Sequence, residues 1–327
     1  MADAYLTLAD WAKRVKPGGG IDEIIEVIAT SNPIFNDAPV LEGNLPTGHQ
    51  STQRTTLPVG EDRLLNGGIA SEKSTTEQIV DTCCMHEGLS QIDVAEAKLN
   101  GNEAAFRASE DNAFMAGLTE RMALRLFYGN QKLHPEQMHG LTPRFNSIGT
   151  RVISAGGSGS DNTSIWIITW GPQTVHLIFP KGSTAGLSSE DLGRQLVDDG
   201  SSPAKRFLAY VTHFKWHLGL TIRNPNYVCR ICNIDISDLT ADAATGADLL
   251  DKMVKAYYTR PTASLGNMAR TFVYCNSTIA EFLHKQSMNK ANVNLTVDKA
   301  GGEPIVNFLG APIHVCDAIA IDEAVVS

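Results

Sequence analysis

"GHQSTQRTTLPVGEDRLLNGGIASEKSTT", Gly48–Thr76, is the stretch on which the reading of this chain turns. Its only large apolar residues are Leu57, Val59, Leu64, Leu65 and Ile69. It is also far longer than the connections usual inside a compact domain. Its two ends carry strand signals. "HQSTQRTTLP" is rich in Thr, and "STTEQIVDTCCMHEGLSQIDV" follows the Gly67-Gly68 pair. Alternation puts Thr76, Gln78, Val80 and Thr82 on one side and Glu77, Ile79, Asp81 and Cys83 on the other. Neither side is strongly apolar, so the pattern predicts a two-stranded ribbon with two polar faces. Such a ribbon is marginal alone in water and requires a neighbour.

The chain around it has 327 residues, 43% apolar and 19% charged, an ordinary globular balance with room for a sizeable core. That length suits two compact domains, or one with extensions. The net charge of −9 argues against a sequence-wide nucleic-acid binder. "MADAYLTLADWAKRVKPGGG" lacks a secretory signal pattern, and no apolar run reaches membrane-spanning length. The expectation is a soluble protein made in a cytosol-like compartment, with Cys83, Cys84, Cys229, Cys232, Cys275 and Cys316 as free thiols.

The first thirty residues predict two short helices, "LTLADW" and "IDEIIEVIA", and residues 31–47 an irregular extended arm. From Asn102 to Tyr128 the period becomes helical, with Phe114, Leu118, Met122 and Leu126 in one stripe and Met115 beside them. Gly129-Asn130 marks the stop. Residues 131–163 read as loop. "SIWIITW" and "TVHLIFP" flank Gly171-Pro172-Gln173 and predict a hairpin; "FLAYVTHFKWHLGLTIR" and "YVCRICNIDIS" flank Asn224-Pro225 and predict a second. Within Leu208–Arg223, Leu208, Tyr210, Phe214, Trp216, Leu218, Leu220 and Ile222 share one face. His213, Lys215, His217 and Arg223 share the other. The remainder mixes a helix within Ala241–Tyr258, a strand "RTFVYCN", a helix "STIAEFLHKQSM" capped by Ser277, and strands "NVNLTV" and "APIHVCDAI".

No catalytic constellation emerges. Cys229 and Cys232 have metal-knuckle spacing, but on a strand residues three apart point to opposite faces. Cys83 and Cys84 fail by the same geometry. His213 and His217 lack the helical His-Glu pattern of a zinc protease, Phe214 standing where Glu would be. "GGSGSDNTS" has glycine without the Lys-Ser/Thr ending of a phosphate loop, and there is no G-x-S-x-G elbow. The carboxylate pairs Glu110-Asp111, Glu190-Asp191 and Asp198-Asp199 read as solvated charge. Catalytic, cofactor and metal sites are therefore all expected to be absent.

The order of parts resembles the major capsid proteins of tailed bacteriophages with the HK97-like fold. "TSNPIFNDAPVLEGNLPTGHQSTQRTTLPVG" (30–60) and "LLNGGIASEKSTT" (64–76) are similar to the arm and E-loop of short-tailed phage capsids, including the Bordetella phage type. "FYGN" (127–130), "GLTPRFN" (140–146), "GSDNTSIWIITWGPQTVHLIFPKGSTAGL" (159–187) and "THFKWHLGLTIRNPNYVCRICNIDIS" (212–237) extend the resemblance. "NFLGAPIHVCDAI" (307–319) is similar to the closing segment of such chains. Each motif is weakly specific; their order and spacing over nearly the whole chain are much stronger.

The resemblance implies an α+β fold: N-terminal arm 1–40, E-loop β-ribbon 41–91, P-domain 92–237 with spine helix 102–128 and long strands, and 238–327 as A-domain with a closing P-domain strand. It implies a structural, non-enzymatic protein assembling into hexamers and pentamers of an icosahedral shell around double-stranded DNA, T=7 being the commonest geometry. The virion would be its location. Portal, scaffolding and cement proteins would be partners, DNA would be touched only weakly, and no membrane would be involved. Leu57, Leu64, Leu65 and Ile69 would be contacts between subunits, with Arg54, Glu61, Asp62, Arg63, Glu72 and Lys73 pairing across the interface. An encapsulin-like compartment is a second reading. A metal or thiol enzyme using Cys229, Cys232, His213 and His217 is a third.

Overall fold

A computed structural model describes residues 32–99, 102–200, 205–239, 249–261, 269–287, 295–300 and 303–327. The two expected N-terminal helices and residues 240–248 lie outside them. In chain order the elements begin with α1 (Ile34–Asp37), β1 (Val40–Glu42), β2 (Gly48–Thr56), β3 (Thr75–Asp93) and α2 (Val94–Lys98). Then come α3 (Glu103–Tyr128), α4 (Leu141–Arg144), β4 (Val152–Ser154), β5 (Asn162–Trp170), β6 (Val175–Phe179), β7 (Leu187–Asp198) and β8 (Arg206–Ile222). The last are β9 (Val228–Asp235), α5 (Leu249–Thr259), β10 (Arg270–Cys275), α6 (Ser277–Ser287), β11 (Leu295–Ala300), β12 (Glu303–Phe308) and β13 (Ala311–Val315). The chain divides into two units, whose described parts fall within Met85–Leu124 and Ala185–His217 for one, and Ser31–Cys84, Arg125–Thr184 and Leu218–Ser327 for the other.

In the first unit β7 lies antiparallel to β8, Leu187 opposite Trp216 and Asp198 opposite Arg206. The helix α3 starts where expected. Asn102 accepts the Ala105 amide through Oδ1, supplying one of the partners that a helix N-terminus lacks. The helix meets the even-numbered side of β8: Phe114 stacks on Phe214 with centroids 6.1 Å apart, and Thr212 Oγ1 donates to Asp111 at 3.4 Å. A small core of Ile92, Val94, Ala97, Phe106 and Tyr210 closes the unit. Leu208, on the same face of β8 as Tyr210 and Phe214, is exposed.

The second unit holds the larger core. All nine residues of β5 and the first seven of β9 are buried, so both strands are covered on both faces, as near-continuous apolar runs require. Ile165, Ile167, Ile231 and Val273 pack there with Met253 of α5 and Leu283 of α6. The strand order is β11-β12-β13-β10-β5-β6, followed by β8, β3 and β2.

Both expected hairpins are corrected. β5 and β6 meet only at Trp170–Val175, and in parallel. Thr174 Oγ1 donates to the carbonyls of Thr169 and Gly171, which fastens the tight connection. β6 then runs parallel to β1 and antiparallel to β8. β8 and β9 do not pair either. A short 3-10 turn, Pro225–Tyr227, capped by Asn224 Oδ1, hands the chain on to β5 and β4. The cap of α6 is also corrected: Asn276 Oδ1, one residue before Ser277, accepts the Thr278 amide at 3.0 Å.

One buried ion pair ties the end of the chain to this core. Arg230, 1% exposed, donates to Glu323 Oε2 at 3.0 Å, to the Phe145 carbonyl at 2.8 Å and to Ser164 Oγ at 3.1 Å, and lies over the Trp166 ring. Ser164 and Tyr128 hydroxyls donate to the same carboxylate, and Asn233 clasps both backbone groups of Val326. Removing one partner of a buried pair strands the other charge. Glu323→Ala is therefore expected to cost about 3–5 kcal/mol in chemical denaturation of the subunit, with Glu323→Gln costing less. A loss below about 1 kcal/mol for Glu323→Ala would show that the pair does not hold the tail.

Candidate functional site

The opening segment folds as the ribbon its alternation predicts. β2 and β3 pair antiparallel from Gly48–Thr82 to Arg54–Thr76, with an irregularity before Thr56–Thr75. The hydroxyls of Thr55 and Thr56 both meet that of Thr75, closing the ribbon just before its tip. At the root the strands approach so closely that a Cβ on Gly48 would lie 2.0 Å from the Asp81 carbonyl oxygen. Arg144 anchors this end: Nη2 contacts Asp81 Oδ1 at 2.7 Å, Nη2 donates to the Leu220 carbonyl, and Nε donates to the His139 carbonyl.

Residues 57–74 form the tip, which contains no strand or helix. It is held by its own charged side chains. Glu72 Oε2 accepts the amides of Val59 and Gly60 at 2.8 and 3.0 Å, Glu61 Oε1 accepts that of Ala70 at 2.5 Å, and Arg63 Nε donates to the Gly67 carbonyl at 2.7 Å. Asn66, at φ 65°, and Gly67 make the turn, with the Gly67 amide donating to the Leu64 carbonyl. Asn tolerates this left-handed conformation better than most residues. The carboxylates thus replace the backbone partners that a strand would supply.

What the tip does with its apolar residues is the opposite of a core. Val59 is 90% exposed, Leu64 83% and Leu65 94%, with Leu57 and Ile69 also well exposed. The structure therefore brings Leu57, Leu64, Leu65 and Ile69 to one projecting loop. Arg54 stands on β2 below it, and Asp62 and Lys73 are exposed on the tip itself. Glu61, Arg63 and Glu72 serve inside the tip, a use that the sequence pattern did not reveal. Val59, which the resemblance did not single out as a contact, belongs with the exposed set.

The residues of the enzyme reading sit differently. Cys229 lies in the apolar core of the second unit, while Cys232 Sγ donates to the Ile153 carbonyl. Burial pushes the Cys229 thiol up to about 11 and those of Cys83, Cys275 and Cys316 up to about 12; Cys84 and Cys232 are raised for the same reason. Such thiols are poor nucleophiles and poor metal ligands. His213 and His217 share a face of β8 as expected, and Glu87 meets both, at 3.0 and 3.5 Å. Burial pushes the Glu87 carboxyl up, but hydrogen bonds from the two histidines outweigh it and hold it below the ordinary carboxylate value. Among the described residues no group of three or more His, Cys, Asp or Glu could hold a metal ion.

Comparison with known proteins follows the same direction. Residues 16–327 match the family described as major capsid protein GP7. The solved structure of bacteriophage Epsilon15 is 36% identical, with a TM-score of 0.80 over 100% of this chain and 99% of that one. The bacteriophage JBD30 capsid shares the fold at 12% identity and a TM-score of 0.52, over 96% of this chain and 99% of that one. A JBD30 capsid decorated with minor capsid protein trimers gives 10% identity and a TM-score of 0.50, covering 91% and 96%. No curated protein matches.

Five buried thiols and the half-buried Cys83, all raised, make a direct test. In the native subunit at pH 8 all six cysteines are expected to react with a thiol reagent far more slowly than in denaturant. Fast native titration of Cys229 or Cys232 would restore the thiol-enzyme reading.

Proposed function

We propose how this chain, which belongs to the major capsid protein GP7 family, uses its exposed ribbon. It is a major capsid protein of the HK97-like fold, a structural and non-enzymatic subunit of the icosahedral phage virion. Capsid proteins of this kind build shells of hexamers and pentamers. The phage relationship, 36% identity over the whole chain, takes the place of the encapsulin reading.

The ribbon tip is the E-loop contact. One observation carries this: five large apolar side chains stand exposed on a loop braced by its own carboxylates. Each would gain about 1.5–3 kcal/mol on full burial, before the ordering costs of association are subtracted. In a closed shell every tip has the same neighbour, so one patch repeated by symmetry covers all of them. Arg54, Asp62 and Lys73 would then meet charges on the adjacent subunit, and Glu61, Arg63 and Glu72 would present the tip in a fixed shape. A preformed tip loses less entropy on docking than a disordered one.

The remaining assignments rest on the same reading. Residues 1–40 form the N-terminal arm, 41–91 the E-loop ribbon, 92–237 the P-domain around α3 and β8, and 238–327 the A-domain with its closing strand. A T=7 lattice, and portal and scaffolding partners, belong to the proposal through the family resemblance. A cement protein enters it by analogy with the decorated JBD30 capsid. The net charge of −9 suits a wall that encloses DNA with weak contact.

Two variants test the E-loop. Deleting residues 50–75 is expected to leave a folded subunit that forms no closed shells. Leu64→Ser combined with Leu65→Ser is expected to leave thermal unfolding of the free subunit unchanged and to raise the concentration required for assembly at least tenfold, read by light scattering and negative-stain microscopy. Normal shells from either variant would overturn the assignment.

A further inference from the structure

Three histidines gather at the root of the ribbon, far from the tip and unused by the contact proposed above. His49 of β2 stands opposite Asp81 of β3 in the ladder, and His176 of β6 stands opposite Thr221 of β8. The His49 and His176 rings meet edge to face with centroids 5.8 Å apart. His139 precedes α4, and its carbonyl takes the Arg144 Nε hydrogen bond at 3.1 Å. His176 is 1% exposed and Asp81 2%.

The hydrogen bonding of this group is incomplete. Both ring nitrogens of His49, Nδ1 of His176, Nδ1 of His139, Oγ1 of Thr221 and Oδ2 of Asp81 are buried with no partner among the described residues. Unpaired buried polar atoms are costly, and native structures keep few of them. The charges around the group are lopsided. Arg144 pairs with Asp81, Arg223 acts on both His49 and His176, and Lys132 acts on His139. Asp81 is the one carboxylate that pulls the other way on His49 and His139.

We propose that this cluster is an acid-operated release for the ribbon: protons taken up by His49, His139 and His176 add positive charge beside Arg144 and Arg223, with Asp81 alone to balance it, and the β2–β3 root opens. Burial, then the neighbouring positive groups, holds all three histidines below the ordinary imidazole value, His176 at about 4. For His176 a backbone hydrogen bond at Gly171 opposes the shift and is outweighed. Between roughly pH 6.5 and pH 4 the opened state therefore binds protons that the closed state refuses. Stability of the root is full above this window and is lost as pH falls through it. Opening is expected to grow by roughly tenfold per pH unit for each proton taken up. Arg144, which also binds the carbonyls of Leu220 and His139, is the point at which an opened root would lose its anchor.

The test is amide hydrogen exchange of the full-length unassembled subunit, read by mass spectrometry from pH 7.5 to 4.5 after correction for intrinsic rates. Residues 48–54 and 76–82 are expected to lose protection below pH 6.5, while Asn162–Trp170 of β5 keep theirs. In His49→Gln combined with His176→Gln, neither of which can take up a proton, the loss is expected to shrink at least tenfold at pH 5. A flat wild-type profile across the range would overturn the proposal without any variant, as would an unchanged profile in the double variant. Because the readout needs no shell, its failure leaves the E-loop assignment standing.

Discussion

A two-stranded ribbon has no interior, and that constraint organises this protein. Paired strands satisfy their inner backbone groups but offer no second layer under which apolar side chains could hide. The sequence answers by making both faces of β2 and β3 largely polar and by placing the apolar residues at the tip. There Leu64 and Leu65 face solvent almost completely. Among the described residues nothing covers this patch, and an exposed apolar patch of this kind marks an interaction surface. In the contact proposed above the partner is a second copy, and closed symmetry would cover every tip at once.

The rest of the structure serves this exposed element by making both of its ends definite. At the tip, Glu61 and Glu72 take up backbone amides that no strand satisfies, so the loop has a shape before it has a partner. At the root, the half-buried Arg144 pairs with the buried Asp81. The larger unit supplies rigidity through β5 and β9, buried on both faces, and through Arg230 and Glu323, which lock the end of the chain to them. The polar groups of that lock are well satisfied, whereas those around His49 and His176 are not. The contrast separates a structural fastening from one that can titrate.

Much of this was legible in the sequence, and the gaps have physical causes. The sequence places the helix α3 to within one residue, because period and stop signal agree. The ribbon and the alternation around His213–His217 are visible in local patterning. The hairpins fail because Gly-Pro-Gln and Asn-Pro mark a turn without saying which strand the chain joins next; β6 and β9 find partners far along the chain. The strand β7 is not legible, because no residue in it is fully buried and no apolar period marks it. That Glu61 and Glu72 also accept amides within the tip is not legible, because a sequence does not display the orphan amides of a loop. The histidine cluster is invisible for a similar reason: His49 and His176 meet through strand order, and His139 joins them from the segment before α4.

The measurement closest to the central claim is a cryo-electron microscopy map of the assembled particle. It should show closed shells in which residues 57–74 of each subunit lie against a neighbouring copy, with Leu57, Val59, Leu64, Leu65 and Ile69 excluded from solvent. Closed shells in which these tips project freely into solvent, touching no neighbour, would contradict the account.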